Sequence, residues 1–318
     1  MINTLNISPL RYPGGKTRAC KIIDNIILKY FNLELYDTLI SPFFGGGSFE
    51  FYFQNKYKYK LIVNDKFCPL YNFWKQIKTN KELLYSKLNN IKSVSKSDFS
   101  KYRKTILQLN DNMLEQAIQY FLINRCSFSG ATLSGGFSEE SSKKRYTKSS
   151  IDRIQKLNFN HIDIFNLDFE VFINNSINDS INDNINNSIN DNINNSINDN
   201  INNYIIFLDP PYYLNMNSKL YGNNGDMHET FDHERLYNVL KTKQNWLITY
   251  NNCDYIRKLY KDYIIIDVDW KYGMNKTKKS SEIIILYKSK TTEFDNLLVD
   301  KNYMQYIIEL ENLMKNIS

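Results

Sequence analysis

Asp209, Pro210, Pro211 and Tyr212 stand directly after an apolar run, Tyr204-Ile205-Ile206-Phe207-Leu208. Such a run predicts a buried strand, and two prolines stop it because neither can donate a hydrogen bond to a sheet. A carboxylate, a rigid bend and an aromatic face then meet at the carboxyl end of a strand, where open α/β sheets bind ligands. The chemistry that needs these three parts is methyl transfer to a planar exocyclic amino group. The lone pair of such an amine is delocalised into its ring, which makes it a poor nucleophile. Asp209 and the Pro210 carbonyl can accept both amino hydrogens and push the nitrogen toward tetrahedral geometry, while Tyr212 stacks on the base. A strand-end turn with a surface Asp is the plain alternative for Asp-Pro-Pro alone. The apolar strand before it and the aromatic after it favour the chemical reading.

A second group lies upstream. Pro42-Phe43-Phe44-Gly45-Gly46-Gly47-Ser48 follows a short strand and opens a helix. Glycines such as Gly45 and Gly47 let the backbone approach a ligand, and a helix amino terminus favours polar or negative groups. Asp65, at the end of the next strand, stands where an acid hydrogen-bonds ribose hydroxyls, so the two motifs outline an adenosine-type pocket. An N-cap for the following helix is the alternative for Asp65. Arg11-Tyr12-Pro13-Gly14-Gly15-Lys16-Thr17 invites comparison with a phosphate-binding loop. That motif needs a glycine where Leu10 stands and an apolar strand before it, so an ATPase is excluded.

The elements that must position these groups alternate in the α/β manner. Helices are expected at 18–29, from about Ser48, at 69–78, 232–241 and 254–260. Strands are expected at 38–40, 61–63, 162–165, 204–208, 246–249, 263–268 and 282–286. Between 81 and 158 the pattern changes to helical stretches (81–90 and 113–124) around a polar, Gly- and Ser-rich segment at 127–142. The expected organisation is a catalytic domain in two parts, 1–80 and 159–290, interrupted by a mainly helical domain at 81–158. A tail at 291–318 carries Tyr303, Tyr306, Ile307, Leu310, Leu313 and Met314 at helical spacing. That stripe predicts docking on the chain's own core rather than a dimer, and leaves the oligomeric state open.

Residues 174–203 are of another kind. Ile177, Ile181, Ile185, Ile189, Ile193, Ile197 and Ile201 recur at every fourth position among Asn, Asp and Ser. One Ile in four offers too little apolar surface to offset ordering entropy, and Asn, Asp and Ser favour turns over helix interiors. A loosely ordered insert between two strands is expected. Elsewhere, 318 residues at 42% apolar suffice for one large α/β core. A net charge of +6 suits a polyanionic partner. The four cysteines lack paired spacing, so neither disulfides nor a metal site is indicated. No signal pattern opens the sequence and no apolar run is long enough to span a membrane, so a soluble, intracellular protein is expected.

Arg-Tyr-Pro-Gly-Gly-Lys, Pro-Phe-Phe-Gly-Gly-Gly, Asn-Asp and Asp-Pro-Pro-Tyr, in this order, resemble the Dam-like N6-adenine DNA methyltransferases over roughly 10–287. The resemblance implies a Rossmann-like S-adenosyl-L-methionine-dependent methyltransferase fold with an inserted target-recognition domain. It implies cofactor contacts from Tyr12, Lys16 and Asp65, with Asp168, in Ile164-Phe165-Asn166-Leu167-Asp168-Phe169, lining the cofactor's adenine. Asp209 would serve both the cofactor and the target adenine. Phe231-Asp232-His233, Trp246–Asn251 and 281–285 match the family further on.

The partner implied is double-stranded DNA, with no metal and no membrane. Asn124-Arg125-Cys126-Ser127-Phe128-Ser129-Gly130 resembles the family's recognition hairpin, placing Arg125, Phe128 and Ser129 against DNA. Lys143, Lys144 and Arg145 supply phosphate contacts or form a solvated charged loop. Ser41 stands where many members have Glu before Pro-Phe, a departure from the family at one cofactor contact. Leu133 replaces the arginine of GATC readers, so GATC is not the expected target. A methyltransferase acting on RNA adenine, DNA cytosine or protein glutamine, or an inactive DNA-binding homologue, remains the alternative. Asp209 in place of Asn or Ser disfavours the cytosine and glutamine versions.

Overall fold

The computed structural model describes residues 8–109, 111–177, 203–213, 231–270 and 280–287. The described residues up to Leu286 belong to one compact unit. The tail read at 302–317 lies outside the described residues, as does the repeat from 178 to 202.

Seven strands form one sheet in the order β3-β2-β1-β4-β5-β7-β6. They are β1 (Thr38–Ser41), β2 (Lys60–Asn64), β3 (Ile162–Phe165), β4 (Tyr204–Leu208), β5 (Trp246–Asn251), β6 (Ile264–Trp270) and β7 (Ser280–Leu286). The first five are parallel, and β7 runs antiparallel between β5 and β6. Their continuous apolar runs fit strands covered on both faces, and every residue of β1 and β4 is buried. The chain leaves β1 toward β2 and β3, then returns to β4 on its other side. The carboxyl ends of β1 and β4 thus form the topological switch point, where a crevice opens for ligand.

Ten α-helices occur among the described residues: α1 (Cys20–Tyr30), α2 (Ser48–Tyr57), α3 (Cys68–Asn90), α4 (Lys96–Thr105), α5 (Met113–Cys126), α6 (Glu139–Lys144), α7 (Lys148–Lys156), α8 (Phe169–Ser176), α9 (His233–Leu240) and α10 (Asp254–Leu259). The helices expected at 69–78 and 81–90 are one helix, α3, broken only at Asn80 (φ −136°). Five helices from the second half of α3 to α7 separate β2 from β3. They pack into the same compact unit as the sheet. Phe73, Trp74 and Phe121 anchor α3 to α5, with the Phe73 and Phe121 rings stacked at 5.8 Å.

Four helices, α4, α6, α7 and α8, lie where the sequence pattern gives no helix. α4 and α7 are short and strongly polar, and each opens with a capping box, Ser95 with Asp98 and Thr147 with Ser150. The expected start of the insert at 174 also needs correction. Residues 174–176 belong to α8, and Ile177 is buried just beyond it.

Candidate active site

Four strand ends and one turn converge at the switch point. After β1 the chain passes through Pro42 to Gly47, where Gly45 and Gly47 adopt positive φ (+50° and +64°). Only a residue without Cβ takes these angles freely. The Tyr12 ring lies against this turn, and a Cβ at Gly45 would come within 2.9 Å of it. Asp65, after β2, accepts hydrogen bonds from the Gly45 and Phe67 amides, both at 2.9 Å. Burial raises its carboxyl to about 6, against the pull of the two amides. Asp65 does not cap α3, whose N-cap is Phe67. It ties the glycine turn to the end of β2. The neighbouring Asn64 donates to the Pro42 and Leu167 carbonyls (3.1 Å each) and accepts from the Leu167 amide (2.8 Å). One side chain thus holds three strand ends together.

After β4, Asp209 meets Lys16. The Lys16 Nζ lies 2.7 Å from Oδ1 and 2.9 Å from Oδ2, and also donates to the Gly14 carbonyl at 3.0 Å. Thr249, on β5, donates to Asp209 Oδ1 at 2.7 Å. Lys16 is 4% exposed, so its charge faces Asp209 in a place water hardly reaches. The same ammonium sits 4.9 Å from the centre of the Tyr212 ring, whose hydroxyl donates to Glu282 on β7. Asn251, at the end of β5, donates to the Tyr213 carbonyl at 2.7 Å. Its Oδ1 is buried with no hydrogen-bond partner among the described residues.

Tyr12, Lys16, Phe43, Gly45, Gly47, Asp65, Asp168, Asp209, Pro210 and Tyr212, all singled out in the sequence, line one cavity of about 670 Å³. Phe43, Phe169 and Phe231 form an aromatic trio in its wall, with ring centres 5.5–5.8 Å apart. Asp168 caps α8 through the Glu170 amide (3.1 Å) and pairs with Lys66 (3.2 Å) and Arg235. Burial opposes its charge, yet the amide, Arg235 and Lys66 together hold its carboxyl below the usual range.

The residues assigned to DNA divide sharply. An isolated bridge joins Ser127 to Phe137, closing a loop whose base is fixed by two backbone hydrogen bonds, Phe128 to Gly136 and Ser138 to Cys126. Phe128 projects from it, 65% exposed, and Ser129 beside it takes a positive φ of +57°. Gly130 to Leu133 of the same loop line the cavity. Arg145, Lys143 and Lys144 are exposed, the lysines paired with Glu139 and Glu140 one turn earlier.

Arg125 is different. It is buried, donating to the Arg145 carbonyl (2.7 Å) and the Pro9 carbonyl (3.1 Å). The expected DNA contact is corrected to an internal support, because the side chain is buried and holds two backbone carbonyls inside the protein. Asn124 next to it accepts from the Arg11 amide (2.9 Å) and donates to the Arg11 carbonyl (2.7 Å), which joins the loop to the Tyr12–Lys16 turn.

Several cavity residues had no role assigned from the sequence: Phe169, Arg235, Asn251, Glu282 and above all Glu50. Glu50 was legible as the single charge within Phe49-Glu50-Phe51-Tyr52-Phe53. Ser41 donates to its Oε1 at 2.7 Å, so an acid still stands at the end of β1, supplied from α2. Arg235 and the aromatic trio are assembled from distant segments and carry no local signal. Among the described residues no cluster of His, Cys, Asp and Glu could hold a metal ion, and no helix is long and apolar enough to cross a membrane.

The model of the D12 class N6 adenine-specific DNA methyltransferases matches residues 12–274. No curated protein matches the sequence.

Proposed function

We propose, for a chain that belongs to the D12 class N6 adenine-specific DNA methyltransferase family, that it methylates adenine at N6 within a particular sequence of duplex DNA, using S-adenosyl-L-methionine. The observation that carries this reading is the Asp209–Lys16–Thr249 arrangement opening into the same cavity as Asp65 and the aromatic trio. The volume suits a cofactor of nucleoside size. The donor set suits it too: an acid after β2 for ribose hydroxyls, aromatic rings for a purine, and a carboxylate-rich floor for a cation.

When bound, the cofactor supplies an electrophilic methyl group on a sulfonium. The rest falls to the protein. Asp209 accepts one hydrogen of the target amine and the Pro210 carbonyl the other, which localises the nitrogen lone pair. Lys16 and Thr249 hold the carboxylate in one orientation, so little reorganisation is left for the reacting moment. Tyr212, fixed through its hydroxyl to Glu282, offers the face on which the base stacks. An N6 atom inside a duplex is out of reach of such a site, so the adenine must be flipped out.

Arg145, Lys143 and Lys144 provide phosphate contacts, and Phe128 and Ser129 read or wedge the bases. The target is not expected to be GATC, and the enzyme works beside a restriction partner or alone. The test is methyl transfer from labelled cofactor to duplex DNA, RNA and protein in parallel, with the modified base identified by sequencing. N6-methyladenine in one DNA motif is the expected result. Transfer to RNA or protein alone, or no transfer, refutes the reading.

A further inference from the structure

We propose that Glu50, steadied by Ser41, receives a positive charge of the bound methyl donor, and that it releases a proton to solvent in doing so. The inference rests on the reading above that S-adenosyl-L-methionine occupies the cavity. Glu50 sits in the first turn of α2, is 3% exposed and lines the cavity beside Ser48 and Phe49. Among the described residues its side-chain partner is neutral, the Ser41 hydroxyl donating to Oε1. No described cation makes an ion pair with it, and Lys16, whose field reaches it, is engaged by Asp209 at 2.7 Å. A carboxyl so placed is expensive to ionise unless a charge arrives to pair with it.

The groups facing Glu50 are Ser41 on β1, Lys16 before α1, Cys20 on α1 and Asp209 after β4. Burial, with Asp209 adding to it, raises the Glu50 carboxyl to about 8, while Ser41 and Lys16 pull the other way. Near neutrality Glu50 is therefore largely protonated and uncharged when the cavity holds no donor. A sulfonium or an α-ammonium in the same low-dielectric space favours the carboxylate, and the O–H proton passes to buffer. By linkage, donor binding then strengthens as pH rises toward 8 and is weaker below.

Titration calorimetry of the wild-type chain tests this between pH 6.5 and 7.5, in two buffers of different ionisation enthalpy. The window lies above Asp65, at about 6, and below a typical α-amino group at about 7.7–8.0. The expected result is close to one proton released per molecule bound, with affinity rising by nearly tenfold across the window. Glu50→Gln should bind with no such release and a flat profile, whereas Ser41→Ala should still release the proton. S-adenosylhomocysteine keeps the ammonium but lacks the sulfonium. Release with both ligands assigns the ammonium as the partner, and release with S-adenosyl-L-methionine alone assigns the sulfonium. Wild-type binding without proton release overturns the role of Glu50 and leaves the cavity reading standing, as does unchanged release from Glu50→Gln. No binding of either ligand by the wild type overturns both. If Glu50→Gln does not fold, the wild-type proton count decides alone.

Discussion

The floor of the cavity and the loop after α5 hold their polar groups in opposite ways. On the floor each charge is restrained by protein: Asp209 by Lys16 and Thr249, Asp65 by two amides. In the loop the backbone is restrained and one side chain, that of Phe128, is released. The Ser127–Phe137 bridge, Asn124 and Arg125 fix the main chain, while Phe128 stands in solvent. Bond-making chemistry gains from groups already oriented when the substrate arrives. Reading a polymer needs side chains that reach outward from a backbone that does not move. The difference separates residues whose loss should stop turnover from residues whose loss should change affinity or sequence preference.

Breaking the floor should have the largest effect. Asp209→Ala removes the acceptor proposed for the target amine and leaves Lys16 buried without its carboxylate partner. Single-turnover methylation should fall by at least about 10²–10³, the scale of losing one oriented polar group in an active site. Asp209→Asn should also be severely impaired, since the amide is a weaker, neutral acceptor. Rates within a few-fold of wild type in either variant would mean that the floor is not the chemical centre.

Arg125 sharpens the comparison, because it lies in the loop region but is built like the floor. Arg125→Ala leaves the Pro9 and Arg145 carbonyls without their donor. Removing a buried guanidinium that is disfavoured by burial and by Arg11, Arg153 and Arg145 gives part of that back. A net loss of about 1–3 kcal/mol in unfolding free energy is expected, on the scale of unsatisfied buried acceptors. Denaturant unfolding measures it. Unchanged stability with lost DNA affinity would restore Arg125 to the duplex.

How far the sequence revealed this division depends on distance along the chain. The strand–turn motifs at Pro42 to Gly47, Asp65 and Asp209 are local, and all of them reach the one cavity. The strands at 162–165 and 204–208 are bounded by turn residues and end where expected. Arg125 misled because charge on a helix next to a polar loop reads as surface. Its burial depends on Pro9, more than a hundred residues away. Asn251 and Glu282 were matched as strand segments, but their place in the cavity follows from β7 inserting antiparallel beside β5, a register no local pattern encodes. α4 and α7 escaped because their helical signal lies in capping boxes rather than in long apolar stripes.

The loop offers two smaller effects that differ in kind. Substituting Phe128 or Ser129 should cost roughly 1–3 kcal/mol of discrimination at one or two base positions if they read base edges. If Phe128 instead fills the gap left by a flipped base, its loss slows methylation and leaves the motif intact.

The basic turn should act more weakly and without sequence preference. Each phosphate neutralised contributes about 0.9 to the slope of log affinity against log salt, so losing Lys143, Lys144 and Arg145 together lowers it by at most about 2.7. The observed drop should be smaller, because Lys143 and Lys144 already face Glu139 at 2.8 Å and Glu140 at 3.1 Å. Those glutamates would stand against the same phosphates. Glu139→Gln with Glu140→Gln should therefore raise affinity for every duplex and steepen the salt dependence, with the methylated motif unchanged. Binding that weakens when the glutamates are neutralised, or a motif that shifts, would show that α6 reads sequence and that the backbone is held elsewhere.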